Sequence, residues 1–298
     1  MVSPPPVRIA APAKINLYLH VTGRRDDGYH RLDSLIAFAG VHDALTFAAA
    51  DHLTLQIKGP CASALKNERD NLVLAAARGL ARLAGIEAKA TIGLTKRLPV
   101  AAGMGGGSAD AAAAIKGLCQ LWTLDPAAVE VKSLALELGA DVPVCLLGKA
   151  AFVGGIGDEI APAPALPACS IVLVNGGRKL ATPAVFAARC GDYSASARFD
   201  YAPADAPELA AILATRRNDL CAPALRLMPA IQPILDAIAA TDKVLLARMS
   251  GSGATCFGLY GDPGAAAAAA LKLGRANPTW WIKAASLESD ITQMTKSR

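Results

Sequence analysis

Aromatic residues are scarce in this sequence, 5% of 298, and acidic and basic residues together make up only 18%. Scattered rings and the absence of a dense Lys/Arg run leave little of a nucleic-acid binder's signature, in which basic side chains cluster with stacking aromatics. The net charge, 30 − 25 = +5, is a mild basicity compatible with anionic ligands and diagnostic of none. A helix-compatible run of about 20 apolar residues is also missing, although 53% of the residues are apolar and mean hydropathy is +0.34. Alanine carries much of that share. The longest uncharged stretch, Ile160 to Gly177, contains Pro162, Pro164 and Pro167, which a membrane-spanning helix does not tolerate. Cysteine pairs are absent as well. The seven cysteines (Cys61, Cys119, Cys145, Cys169, Cys190, Cys221 and Cys256) are odd in number and widely spaced, with no CxxC, and read as reduced, buried small hydrophobes of a cytosolic protein. The proline-rich start, Met1 to Pro6, followed by Lys14 inside a weakly apolar stretch, does not make a signal peptide. The expectation is a cytoplasmic protein, monomer or weak homodimer, with neither nucleic acid nor membrane as partner.

What the chain does have is enough apolar mass for a core and too little charge for disorder. Its length suits one large domain or two ordinary ones. Ile15 to Val21 and Leu53 to Ile57 alternate like strands, with a turn-rich loop, Gly23 to Gly28, between them. Asp70-Asn71 forms a capping pair before a helical run from Leu72 to Ala84 that Gly85 closes. A strand from Ala88 to Leu94 leads into a glycine-rich loop and then a helix from Ser108 to Leu121; Asp125-Pro126 opens another helix, with Gly139 past its end. Ala150 to Ile160 is hairpin-like, and the alternating Pro/Ala segment Ala161 to Ala168 reads as a linker. The expected domains are therefore 1–160 and 161–298. In the second, strands at Ile171 to Val174, Val244 to Met249 and Cys256 to Tyr260 are joined by a helix from Pro229 to Ala240 and followed by one through Ala265 to Ala270. Strands and helices mix without strict alternation, which indicates an α+β protein.

The strongest local feature is Pro99-Val100-Ala101-Ala102-Gly103-Met104-Gly105-Gly106-Gly107-Ser108-Ala109. Four glycines let backbone N–H groups turn inward just where a helix begins, so an anion would meet both amides and the positive end of the helix dipole. No Gly-Lys-Ser/Thr closes the loop, so it is not a Walker A motif, and Ser108 stands where the dinucleotide fingerprint needs its last glycine. A tight turn packed for steric reasons is the competing reading of such a loop on its own. Ser108 reads equally as the cap of the following helix or as a phosphate contact. Pro12-Ala13-Lys14-Ile15-Asn16-Leu17 places a lysine inside an apolar strand with Asn16 on the same face, and Ser250-Gly251-Ser252-Gly253-Ala254-Thr255 is a second glycine loop between strands.

These three stretches, in this order, resemble the signature of the GHMP kinases, the small-molecule kinases named for galactokinase, homoserine kinase, mevalonate kinase and phosphomevalonate kinase. Gly28-Tyr29-His30, Lys96-Arg97-Leu98-Pro99, Gly139-Ala140-Asp141-Val142-Pro143 and Asn218-Asp219-Leu220 extend the resemblance over nearly the whole chain, toward the branch acting on a cytidine diphosphate ester of methylerythritol. Met104 and Ala109 depart from that pattern in the glycine loop, where leucine and serine are usual. The resemblance implies a two-domain fold with the active site in the interdomain cleft and ATP-dependent phosphorylation of a 2-hydroxyl on that small-molecule substrate. Lys14 and Asp141 fall on the family's catalytic pair, the aspartate to take the hydroxyl proton and the lysine to hold the carboxylate and offset charge in the transition state. ATP falls to Pro99 through Ala109, with Asn71 and Lys96. Substrate contacts fall to Asn16, Tyr29, His30, Thr182, Phe186 and the loop Gly251, Ser252 and Gly253. Asn71 also reads simply as a helix cap, and Thr182-Pro183 as an N-cap with proline at the first helical position. Mg²⁺ is expected to arrive on ATP, and no cluster of Asp, Glu or His at ligand spacing indicates a protein-made metal site. Another kinase of the same family, acting on mevalonate or homoserine, would keep the glycine loops without needing Tyr29 and His30. A non-catalytic binding protein of this fold could lose Lys14 or Asp141, and both are present.

Overall fold

The computed structural model describes residues 5–66, 71–127, 130–292 and 294. Two long strands, β1 (Val7–Arg24) and β2 (His30–Ala48), form an antiparallel hairpin whose tip is the expected Gly23 to Gly28 turn region. β1 is longer than its alternation suggests, and from Ala11 to Val21 it is buried on both faces. The polar positions Lys14, Asn16 and His20 are enclosed along with the apolar ones because they are bonded to other parts of the chain.

β2 keeps β1 on one side along its whole length and changes partners on the other. Its first third pairs with β5 (Ala151–Gly155), Phe38 and Ala39 with β10 (Trp281–Glu288), and its last residues with β4 (Thr91–Thr95). β3 (Thr54–Lys58) lies parallel to β4, and the crossover between them carries α1 (Leu72–Ala84), as a parallel connection requires. Beyond β10 come β7 (Cys169–Asn175), β9 (Cys256–Tyr260) and β8 (Leu246–Met249), all antiparallel, and β6 (Glu159–Pro162) pairs with β5 as the expected hairpin.

α2 (Gly106–Leu121) crosses the sheet over β1 and β2, backed by α1, α3 (Val131–Leu138) and α4 (Val142–Leu147). Alanines 109 and 111–114 are buried in that contact. Gly117 sets its closeness, since a Cβ there would sit 2.1 Å from the Phe47 ring; forcing a methyl into such a contact costs about 1–3 kcal/mol. α5 (Thr182–Ala187), α6 (Ala206–Ala214), α7 (Cys221–Leu227), α8 (Gln232–Ala239) and α9 (Pro263–Ala276) pack around the second half of the sheet, where Val172, Val174, Ile234, Ile238 and Cys256 share a core with Leu19 and Val21 of β1. The mixture of helix and sheet agrees with the α+β expectation.

Several element boundaries differ from the sequence reading: β8 begins at Leu246 rather than Val244, and the first residues of the expected linker, Ala161 and Pro162, belong to β6. No helix opens at Pro126: Asp125 Oδ1 accepts from the Ala127 N–H, which closes a turn instead, and the helix before Gly139 starts at Val131. The segment 88–90 is not strand, and β4 begins at Thr91. The run from Pro229 opens as a single 3₁₀ turn before α8. Asp70 of the capping pair lies outside the described residues.

Candidate active site

A bulge between Pro12 and Lys14 interrupts the β1 ladder, and the Lys14 N–H donates instead to the Met104 carbonyl at 2.9 Å. Strand and glycine loop are thereby joined at the lysine. Its Nζ lies 2.8 Å from Asp141 Oδ2 and donates to Asn16 Oδ1 at 2.9 Å. Asn16 donates through Nδ2 to Ser34 Oγ at 2.8 Å, so the expected common face of Lys14 and Asn16 is fixed by a hydrogen-bond chain. Asp141 stands between Gly139, which ends α3 with φ +151°, and the first turn of α4. The Lys14 side chain is 5% exposed and that of Asp141 39%, so the buried cation sits behind a carboxylate open to solvent. Cys145, one turn further along α4, is no nucleophile: burial, followed by the Asp141 charge, pushes its thiol up to about 12.

The two glycine loops lie against each other. Ser250 Oγ donates to the Gly103 carbonyl at 3.0 Å and accepts from the Asn16 N–H at 3.1 Å. A Cβ on Gly103 would lie 2.6 Å from the carbonyl oxygens of both Ser250 and Gly253, and one on Gly251 would lie 3.1 Å from Asn16 Oδ1. Gly105, at φ +58°, stands directly over the Lys14–Asp141 pair, its Cβ position 3.0 Å from Lys14 Cε and 3.6 Å from Asp141 Oδ2.

α2 begins at Gly106, two residues earlier than expected, and its N-cap is Gly105. Ser108 therefore lies inside the first turn and does not cap the helix, which corrects one of its two readings. α1, α6 and α9 each have a side-chain cap, from Asn71, Asp205 and Asp262, while α2, the longest helix described, has none. α3, α4, α5, α7 and α8 likewise have no side-chain cap.

The run from Pro99 to Ala109 divides by function of position. Pro99, Val100, Ala101, Gly106 and Gly107 line a small cavity with Asn71 and Lys96; Ala102, Met104 and Ala109 are buried in the cores beneath. Asn71 caps α1, its Oδ1 accepting from the Val73 N–H at 2.9 Å. Lys96 is 2% exposed, and its Nζ is held by Asp43 Oδ2 at 2.7 Å and Asp110 Oδ2 at 2.5 Å. The sequence reading missed both acids. A signal was there for Asp110, the only charged residue between Arg97 and Lys116, in a stretch otherwise fit for a core.

A second group forms at the hairpin tip. His30, the first residue of β2, stacks on Phe186 of α5 with ring centroids 5.2 Å apart and planes at 28°. Tyr29 beside it is 61% exposed. Burial, then the charges of Arg24 and Arg189, lowers the His30 pKa and so disfavours the charged ring. Thr182 is the first residue of α5 and Ala181 its N-cap, so the capping reading of Thr182 is corrected too; its Oγ1 lies 2.7 Å from Ser252 Oγ and ties α5 to the second glycine loop.

Matches to family models and to known proteins agree over this geometry. Residues 71–149 match the GHMP kinases N terminal domain and residues 203–279 the GHMP kinases C terminal model. A 4-diphosphocytidyl-2-C-methyl-D-erythritol kinase of Paramagnetospirillum magneticum is 55% identical over 281 residues, 94% of this chain and 98% of that protein. One of the same name from Rhodospirillum rubrum is 50% identical, covering 96% and 94%. A crystal structure of 4-(cytidine 5'-diphospho)-2C-methyl-D-erythritol kinase superposes with TM-score 0.76 at 36% identity, over 94% of this chain and 99% of that one. A homoserine kinase from Cytophaga hutchinsonii superposes with TM-score 0.71 at 16% identity, covering 97% of each chain, a likeness of fold alone.

Proposed function

Because the chain belongs to the GHMP kinases, and among them to the 4-diphosphocytidyl-2-C-methyl-D-erythritol kinases, we propose that it transfers the terminal phosphoryl group of ATP to the 2-hydroxyl of 4-diphosphocytidyl-2-C-methyl-D-erythritol. Identity near half over almost the full length supports this substrate above mevalonate or homoserine. The observation that carries the chemistry is the Lys14–Asp141 pair at 2.8 Å, lying under Gly105 at the uncapped start of α2.

Phosphoryl transfer needs positioning, charge stabilisation and a destination for the hydroxyl proton. Asp141, its side chain 39% exposed, accepts that proton. Lys14 holds the carboxylate in place and sets positive charge beside the reacting group. The N–H groups of Gly106, Gly107 and Ser108 face the phosphates, and Asn71, Pro99 and Val100 bound the space for the base and ribose. Tyr29, His30 and Phe186 hold the cytosine, while Thr182 and Ser252 close the substrate side. ATP brings Mg²⁺ on its phosphates, where the ion offsets charge. Among the described residues no group of three or more His, Cys, Asp or Glu converges on a metal position, and we assign no protein ligand to it.

The division into 1–160 and 161–298 belongs to the same proposal, supported by a core drawn mostly from residues 9–153 and another mostly from 172–273. A cytosolic location also belongs to it, supported by seven free cysteines; among the described residues no helix is long and apolar enough to cross a membrane. The test is a phosphorylation assay offering the cytidine diphosphate substrate, mevalonate and homoserine side by side. Turnover of the first alone is expected; failure there with turnover of either other would overturn the substrate.

A further inference from the structure

Lys96 is the centre of a buried cluster that the transfer chemistry does not use. Asp43 on β2 is 0% exposed, Lys96 just after β4 2%, and Asp110 in the second turn of α2 3%. Asp43 is fully occupied: Oδ1 accepts from the Arg97 and Leu98 N–H groups at 2.5 and 2.9 Å, and Oδ2 from Lys96. Asp110 is not, for its Oδ1 is buried without any hydrogen-bond partner. With both acids ionised the cluster carries one uncompensated negative charge in a buried setting, which is costly. It also borders the phosphate cradle, because Lys96 and Asp110 line the same cavity as Gly106 and Gly107, and a Cβ on Gly106 would lie 3.3 Å from Lys96 Nζ.

We propose that Asp110 is a proton-binding positioning residue of the phosphate cradle, taking up a proton on Oδ1 when nucleotide phosphates arrive, so that nucleotide affinity falls as pH rises through neutrality. This rests on the kinase reading above. The proton comes from solvent and leaves again with the nucleotide, and no bond in the nucleotide changes. The direction follows from charge. Anionic phosphates near an already negative cluster favour its neutral form, and by linkage the neutral form favours the phosphates.

Other charged and titratable groups face the cluster. Burial pushes the Asp110 carboxyl up, and Asp43 adds to that against the opposing pull of Lys96, placing it at about 7. Burial acts against the Lys96 ammonium, but the two carboxylates outweigh it and keep its pKa above the ordinary lysine value. Cys61, before the short 3₁₀ turn at Ala62–Leu65, and Cys145, on α4, are thiols that burial moves upward, away from neutrality. Lys14 and Asp141 are paired with each other across Gly105. His42 precedes Asp43 and holds its backbone carbonyl through Nδ1, so H42Q serves as the control for an imidazole effect.

The experiment is calorimetry of ADP binding at pH 7 in two buffers of different ionisation enthalpy, on wild type, D110N and H42Q, with KM for ATP and kcat measured from pH 6 to 8.5 at saturating Mg²⁺. Wild type and H42Q should take up a fraction of a proton per ADP, and KM for ATP should rise by about three- to tenfold over that range, a shift of up to one pKa unit on binding, with kcat changing little beside it. D110N keeps a Lys96 acceptor without the charge; it should take up no proton and show a flat, low KM, where a merely structural loss would raise KM at every pH. ADP binding without proton uptake in wild type, or uptake and pH dependence persisting in D110N, overturns the inference and leaves the kinase reading intact. No nucleotide binding by wild type overturns both. If D110N does not fold, the wild-type and H42Q profiles decide alone: a KM independent of pH in wild type, or a dependence lost in H42Q, refutes the proposal.

Discussion

Lys14 Nζ and Asp141 Oδ2 stand 2.8 Å apart with opposite relations to solvent, the lysine side chain 5% and the aspartate side chain 39% exposed. A structural ion pair would gain nothing from leaving its acid open, whereas a proton acceptor must reach the substrate. Asp141→Asn should therefore lower kcat by about 10² to 10⁴, the range for loss of a positioned general base, while ADP affinity by calorimetry stays near wild type. Lys14 keeps Asn16 Oδ1 as a partner in that variant. Near-normal turnover by the Asn variant would make Asp141 structural.

Gly105→Val and Gly106→Val should abolish nucleotide binding in a chain that still gives native circular dichroism. At Gly105 the φ of +58° is one that β-branched residues avoid, and the new Cβ would press on Lys14 Cε at 3.0 Å. At Gly106 it would enter the cavity beside Lys96. Unchanged ATP affinity in a folded variant would mean that the glycines serve packing alone.

What was readable in the sequence was what is local. Lys14, the glycine loop, Asp141 and Asn71 each sit in a short stretch whose residue types already restrict backbone and partner. The Asp43–Lys96–Asp110 cluster joins β2, the end of β4 and α2, and a lone acid in a strand reads like a solvated one until its partners are known. For Ser108 and Thr182 the sequence leaves capping open beside a ligand contact, because their preference for the cap position is real, and the helices exclude capping by starting at Gly106 and after Ala181. Thr182 instead meets Ser252, a contact set by tertiary packing. The β10 strand, set between β2 and β7, offered no motif.

Asp33 gives a stability prediction. Burial alone would raise its pKa, but the Ala197 N–H, Arg198, Tyr18 and Ser196 hydrogen-bond the ionised form and hold the carboxyl below its usual range. A depressed carboxylate adds stability that is complete above its unfolded pKa and fades as pH falls through the folded one. Asp33→Asn should thus destabilise the protein by about 1–3 kcal/mol at pH 7, and the gap between variant and wild type should narrow below pH 4. Urea unfolding at pH 7 and pH 3.5 reads both; a gap that does not shrink in acid would remove the electrostatic account.

The His30–Phe186 stack makes the last prediction. Its rings, 5.2 Å apart, come from β2 and α5, and exposed Tyr29 offers another aromatic face at the same tip. Tyr29→Ala should weaken substrate binding by about 1–3 kcal/mol, the scale of a base stacked on an aromatic, with kcat little changed because the reacting hydroxyl is at the other end of the substrate. His30→Ala removes a neutral ring that can present one donor and one acceptor, so it should lose discrimination for cytosine as well as affinity. Phe186→Ala should reproduce part of the His30 effect by leaving that ring unsupported. Since burial and the nearby arginines depress the His30 pKa, substrate KM should rise only in acid, below the ordinary imidazole range, as the ring gains its proton, and this rise should vanish in His30→Ala. ATP affinity should hold in all three variants, because the proposed phosphate cradle lies on α2 and not at the hairpin. The deciding measurement is competition by CDP or CMP against substrate: inhibition in wild type that weakens in Tyr29→Ala and His30→Ala places cytosine at this tip, and an absence of inhibition in wild type removes the cytosine pocket altogether.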